Sequence, residues 1–107
     1  MLIYTADGRM SVMIGYSGRQ LLSRDRVSAP VEERARAFAS FFGYSGGYSF
    51  SCDRVVHHVV VASVPNWVNT DMLRTVRLDG NRLTLGTPPR QLGGIASTFE
   101  LTWERFP

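Results

Sequence analysis

Lysine is absent from the 107 residues, and all 12 basic side chains are arginines. Without a lysine amine, Schiff-base chemistry on the chain is excluded. The arginines stand against nine carboxylates and leave a formal charge of +3. They are spread along the chain, with only Arg24/Arg26 and Arg34/Arg36 close together, so no basic run marks a nucleic-acid surface. A single cysteine, Cys52, excludes an internal disulfide and a cysteine-rich zinc site. It fits a reducing, cytoplasmic setting and reads as a buried small hydrophobe. No apolar run approaches the ~18 residues of a membrane span, and the N-terminus lacks the basic stretch of a signal peptide. The only two histidines, His57 and His58, are adjacent and diverge on a strand, which gives no metal-ligand spacing. No glycine-rich loop follows a strand and opens a helix. The expectation is a soluble, single-domain chain without cofactor, metal, nucleic-acid or membrane partner.

What the chain does have is a β-branched centre. From Val55 to Trp67 it runs Val-Val-His-His-Val-Val-Val-Ala-Ser-Val-Pro-Asn-Trp, a density of valine that a pleated sheet favours and a helix tolerates poorly. This stretch reads as the central strand, with pairing weakened at Pro65. Leu2–Ala6 and Arg9–Tyr16 form a hairpin at Asp7-Gly8, with Met10, Val12, Ile14 and Tyr16 on the core face. Residues 17–29 are polar and read as a mobile loop. Pro30–Gly43 carries a helix signal: Ser28 as cap, Glu32 and Glu33 at the positive end, Gly43 as a left-handed terminus, and a stripe of Val31, Ala35, Phe38, Ala39 and Phe42. That helix should lie against the sheet or plug one end of a barrel.

Gly43, Gly46 and Gly47 read as a flexible corner before a strand with Tyr48, Phe50 and Cys52 on one face, and Asp53-Arg54 turns the chain into the valine strand. Met72–Leu78 and Arg82–Thr87 form a second hairpin around Asp79-Gly80-Asn81. Pro88-Pro89 stops the sheet, Arg90–Gly94 is a loop, and Ile95–Phe106 is a last strand with Phe99, Leu101 and Trp103 facing in. The total is about seven strands, mostly antiparallel, with one helix. A sheet that long curls into a barrel because closure removes exposed edges.

Several of these segments together resemble the lipocalin-like domain family of small bacterial and fungal proteins. The matching residues are Tyr4-Thr5 with Gly8-Arg9-Met10-Ser11, Phe42-Gly43 with Gly47-Tyr48, His57-His58, Pro65-Asn66-Trp67, Leu78 through Leu85, Thr87-Pro88-Pro89 and Trp103-Glu104-Arg105. The resemblance implies a mostly β, antiparallel up-and-down barrel around a small-molecule cavity. Family members usually begin with a further strand, and this chain starts at what looks like their second. Leu2–Ala6 is then an exposed edge, and a bare apolar edge invites a homodimer in which each subunit covers the other's gap. The family carries no agreed catalytic residues onto this sequence.

Side-chain alternation allows only one histidine inside. The odd face, with Val55, Val59 and Val61, is the more apolar, so His57 is expected inward and His58 outward. Among valines His57 loses charge stability and becomes a neutral imidazole that acts as a base, binds a ligand, or is simply satisfied by a neighbouring hydroxyl. Arg74 shares a face with Val76 and Leu78, so its guanidinium requires a carboxylate, a carbonyl or a bound anion, either from a ligand or from a structural acidic partner. Tyr48, Trp67 and Trp103 are candidate cavity walls, with plain core packing as their alternative. Asn66 either orients a ligand or closes a turn, and His58 is kept among the ligand-binding candidates. Two functions remain open: binding of a small hydrophobic molecule, and a cofactor-free cyclase, isomerase or hydrolase using the same cavity with His57 as catalytic acid or base.

Overall fold

The computed structural model describes residues 1–88, 90–92 and 95–105 of the chain. Its strands are β1 (Leu2–Tyr4), β2 (Arg9–Gly15), β3 (Phe41–Ser51), β4 (Arg54–Ala62), β5 (Asp71–Asp79), β6 (Arg82–Gly86), β7 (Arg90–Leu92), β8 (Ile95–Ser97) and β9 (Glu100–Glu104). One helix, α1 (Val31–Ala39), and a 3-10 turn at Pro65–Trp67 complete the regular structure. Seven strands form one antiparallel sheet in the order β1-β2-β3-β4-β5-β6-β9, which curls into a nearly closed barrel. β1 and β9 are its two edges, and β7 and β8 pair with each other as a separate ribbon. No helix among the described residues is long and apolar enough to cross a membrane.

The register explains the inside of the barrel. Val12 lies opposite Tyr44, Val55 opposite Arg74, and Leu85 opposite both Val76 and Leu101, so these strands of the seven-stranded sheet share one inward face. Met10, Val12, Tyr44 and Val59 are the buried core, with Leu2, Ile14, Trp67 and Met72 packed around it.

Several local expectations are corrected. The glycine corner is absent: β3 runs unbroken from Phe41 to Ser51 and absorbs Gly43, Gly46 and Gly47, with a bulge between Ser45 and Gly46. Gly46 stands where the backbone of β4 comes closest, since a Cβ there would lie 1.9 Å from the His58 carbonyl oxygen. The helix is correspondingly shorter. It ends where the Ser40 amide reaches the Arg36 carbonyl, and Phe42 belongs to β3, where alternation with Tyr44 gives it a better burial than the helical stripe could. α1 buries none of its residues, so Val31 and Phe38 stay exposed and the helix does not fill the barrel. Arg19 donates from Nη2 to the Ala37 carbonyl (3.1 Å) and from Nε to Ser40 Oγ (3.0 Å), occupying the C-terminal end that Gly43 was expected to close.

Ser28 is no helix cap. Its hydroxyl and amide donate to Asp25, as does the Val27 amide, and these bonds hold the Asp25 carboxyl below its ordinary pKa. Glu33 accepts from the amide and hydroxyl of Ser23, so two carboxylates fasten the long loop to itself and to α1. Cys52 is exposed rather than buried, because it occupies the two-residue turn between Ser51 and Arg54 with φ of 53°. The last strand of the sheet begins only at Glu100, and the stretch expected as a loop supplies β7, which takes β8 as its partner. The expectations at Pro89, Gly93, Gly94 and Phe106 lie outside the described residues.

Candidate functional site

β4 directs Val55, His57 and Val59 inward, and His57 is the most deeply buried large side chain, with 1% of its surface exposed. Both ring nitrogens are paired. The Tyr4 hydroxyl lies 2.5 Å from Nε2 and the Tyr44 hydroxyl 2.7 Å from Nδ1. Desolvation, then the nearby Arg74 charge, then His58 push the His57 pKa down to about 4, and the ring is neutral across physiological pH. A neutral imidazole has one donor and one acceptor, so one tyrosine donates to the ring and the other accepts from it. Burial raises the pKa of Tyr4 and of Tyr44, which keeps both phenols protonated, while Arg74 draws each partway back.

Arg74 enters the same space from β5, opposite Val55. Its guanidinium donates from Nη1 to the Leu73 carbonyl (2.8 Å) and from Nη2 towards Met72 Sδ (3.4 Å). Among the described residues it has no carboxylate partner: Asp53 lies against Arg54, Asp71 against His58 and Glu100 against Arg77. The structural acidic partner that the sequence left open is therefore not found there. Glu100 sits at the cavity margin and turns to Arg77 at 4.0 Å.

Around this polar group is a cavity of about 420 Å³. Its aromatic wall is built edge to face: Phe42 meets Trp67 at 5.6 Å and 87°, and Tyr44 meets the same indole at 6.0 Å and 85°, an arrangement that matches ring edges to ring faces. Trp103 and Leu101 from β9 close the other side. The Trp103 indole N–H is buried without a partner among the described residues. A second cavity, of about 410 Å³, lies beyond Tyr4, between Tyr48, Val55, Val76 and Leu83.

The candidate residues of the sequence thus separate. His57, Arg74, Trp67 and Trp103 line the larger cavity. Tyr48 lines the second, with its hydroxyl donating to the Thr5 carbonyl at 2.7 Å. Asn66 is exposed on the 3-10 turn and lines neither. His58 points outward, where it meets Ser49 and Asp71. Sequence reasoning missed Tyr4, Tyr44 and Phe42. The alternation Phe42, Tyr44 was available, but reading the glycines as a corner hid it.

The neutral His57 makes stability depend on pH. Its folded pKa lies below the ordinary value near 6.5, so the unfolded chain binds the extra proton between those two values. Stability is expected to fall as pH drops from about 6.5 to 4, by roughly 3 kcal/mol from this group. Urea denaturation across that window, compared with His57→Gln, checks it. The variant should show a shallower slope, and equal slopes would assign the acid sensitivity to the carboxylates instead.

A family model described as a lipocalin-like domain matches residues 1–106. A protein of Aspergillus oryzae named as a 4'-hydroxy-3'-methoxypropiophenone carrier protein is 34% identical over 90 residues, covering 76% of this chain and 81% of the relative. No solved structure gives a significant match.

Proposed function

We propose that this chain, which belongs to the lipocalin-like domain family, binds a small, largely apolar aromatic molecule in the 420 Å³ cavity and holds an oxygen of that molecule with Arg74. The observation that carries the reading is the inward guanidinium with no carboxylate partner among the described residues, beside an imidazole that burial keeps neutral. The Leu73 carbonyl takes one N–H of the guanidinium, and a ligand oxygen is the acceptor that fits the space beside the donors that remain. The wall of Phe42, Trp67, Tyr44 and Trp103 suits a flat ring. The relative that carries an aryl ketone supports the same class of cargo, an aryl ketone or phenol.

The open edges β1 and β9 favour a homodimer in which a second copy covers the gap. The pairing of His57 with two hydroxyls favours a second reading, a cofactor-free cyclase, isomerase or hydrolase in which the imidazole moves a proton through Tyr44. Native mass spectrometry after incubation with aryl ketones and phenols tests the proposal. The expected species is twice the chain mass carrying one small molecule per subunit. A ligand-free protein across the panel would sink the binding reading, and conversion of a bound compound that is lost in His57→Gln while binding persists would favour the enzyme.

A further inference from the structure

The outer face of the barrel holds a second constellation, unconnected with the cavity. Ser49 on β3, His58 on β4 and Asp71 on β5 form a continuous hydrogen-bonded row across three strands. The Ser49 hydroxyl lies 2.8 Å from His58 Nε2, and His58 Nδ1 lies 2.9 Å from Asp71 Oδ1. With His58 in its neutral form, the chemistry of the three groups sets the proton positions. An ionised carboxylate only accepts, so Nδ1 must carry the hydrogen; the lone pair of a neutral imidazole is then on Nε2, and the serine O–H donates to it. That is the order of roles in an activated serine: nucleophile, base, and a carboxylate that orients the base. We infer that Ser49 is a nucleophile on the barrel exterior, activated by His58 and oriented through Asp71, and that it accepts acyl groups from activated aryl esters.

The surroundings indicate how such an ester would approach. His58 lies opposite Gly47 on β3, which presents no side chain over the imidazole. Ser49 lies opposite Val56, and Val56 opposite Leu73, so an apolar ledge crosses β4 and β5 on the same face as the serine. An aryl or short acyl group rests there with its carbonyl towards Ser49 Oγ. In the step itself Oγ attacks the carbonyl carbon and its proton passes to His58 Nε2. The tetrahedral adduct then expels the aryloxide, which takes that proton and leaves as the phenol, with the acyl group esterified to Ser49. Water attacking by the reverse route releases the carboxylic acid and regenerates the serine. His58 and Asp71 are open to solvent, with side-chain exposures of 43% and 68%, so water rather than preorganised donors stabilises the oxyanion. The expected chemistry is a slow acylation, far from the rates that an oxyanion hole supports.

The test is 4-nitrophenyl acetate with the full chain, followed by nitrophenolate release and peptide mapping. One acetyl group per chain is expected on Ser49, and none on Ser45, a serine of the same strand whose hydroxyl is engaged with Ser11 at 2.8 Å. Ser49→Ala should abolish the adduct. His58→Ala and Asp71→Asn should each slow its formation at least tenfold, with thermal melts showing that both variants remain folded. An alkyl fluorophosphonate should label the same serine. Acetylation scattered over several hydroxyls, or a Ser49 adduct whose rate ignores Asp71→Asn, would overturn the inference and leave the row as a cross-strand tie.

Discussion

Gly46→Ala is expected to destabilise the barrel by about 3 kcal/mol or more, a fall of roughly 15 °C in Tm for a chain of this size. A Cβ on Gly46 would lie 1.9 Å from the His58 oxygen, 2.9 Å from its carbonyl carbon and 3.0 Å from the Val60 nitrogen. All three atoms are backbone, so no side chain can swing away to make room. The alternative is to break the bulge at Ser45/Gly46, and a shift of register by one residue would turn the inward set of β3 outward. The neighbouring Gly47→Ala is the control. Its Cβ would meet only the Gly8 oxygen at 3.4 Å, so it should cost under ~1 kcal/mol, near the ordinary range for a surface change. Paired thermal melts decide the matter; equal losses in the two variants would mean that the close approach at Gly46 is not what holds the bulge.

Arg74→Met separates stability from binding. Removing an inward cation that lacks a carboxylate among the described residues relieves a desolvation cost, and methionine keeps the length that packs against Met72. Thermal stability should therefore hold or rise. Affinity for an arylcarboxylate should drop by about a hundredfold, since a charge-assisted hydrogen bond contributes roughly 1.5–3 kcal/mol. The methyl ester of the same acid should change far less. Calorimetric titration of both ligands against both proteins measures this. A lower Tm with unchanged affinity would make Arg74 a structural residue.

Much of this arrangement is legible from alternation alone. The odd-numbered face of the valine strand places His57 inward, and the even-numbered face of the next strand places Arg74 in the same interior. Where the reading failed, a local pattern had two physical solutions. Phe42 fits both a helical stripe and the alternation of β3, and tertiary pairing with Ile14 decides for the strand. Cys52 has inward parity, yet parity has no meaning inside a two-residue turn. Ile95–Ser97 alternates in step with the last strand but finds its partner in β7, a choice made by pairing rather than by pattern. The row Ser49–His58–Asp71 depends on the relative register of three strands, which no single strand's composition contains.

The chain has two tryptophans, Trp67 and Trp103, and both line the cavity above Tyr44 and His57. Their fluorescence therefore reports directly on whether that space takes a guest. Titration with small phenolic and ketonic aromatics should give a saturable change in emission at one ligand per chain, weakened by Trp67→Ala and, for acidic ligands, by Arg74→Met. An emission spectrum that stays constant across the panel, at concentrations up to the solubility of each compound, would contradict the account of the barrel as a small-molecule binder.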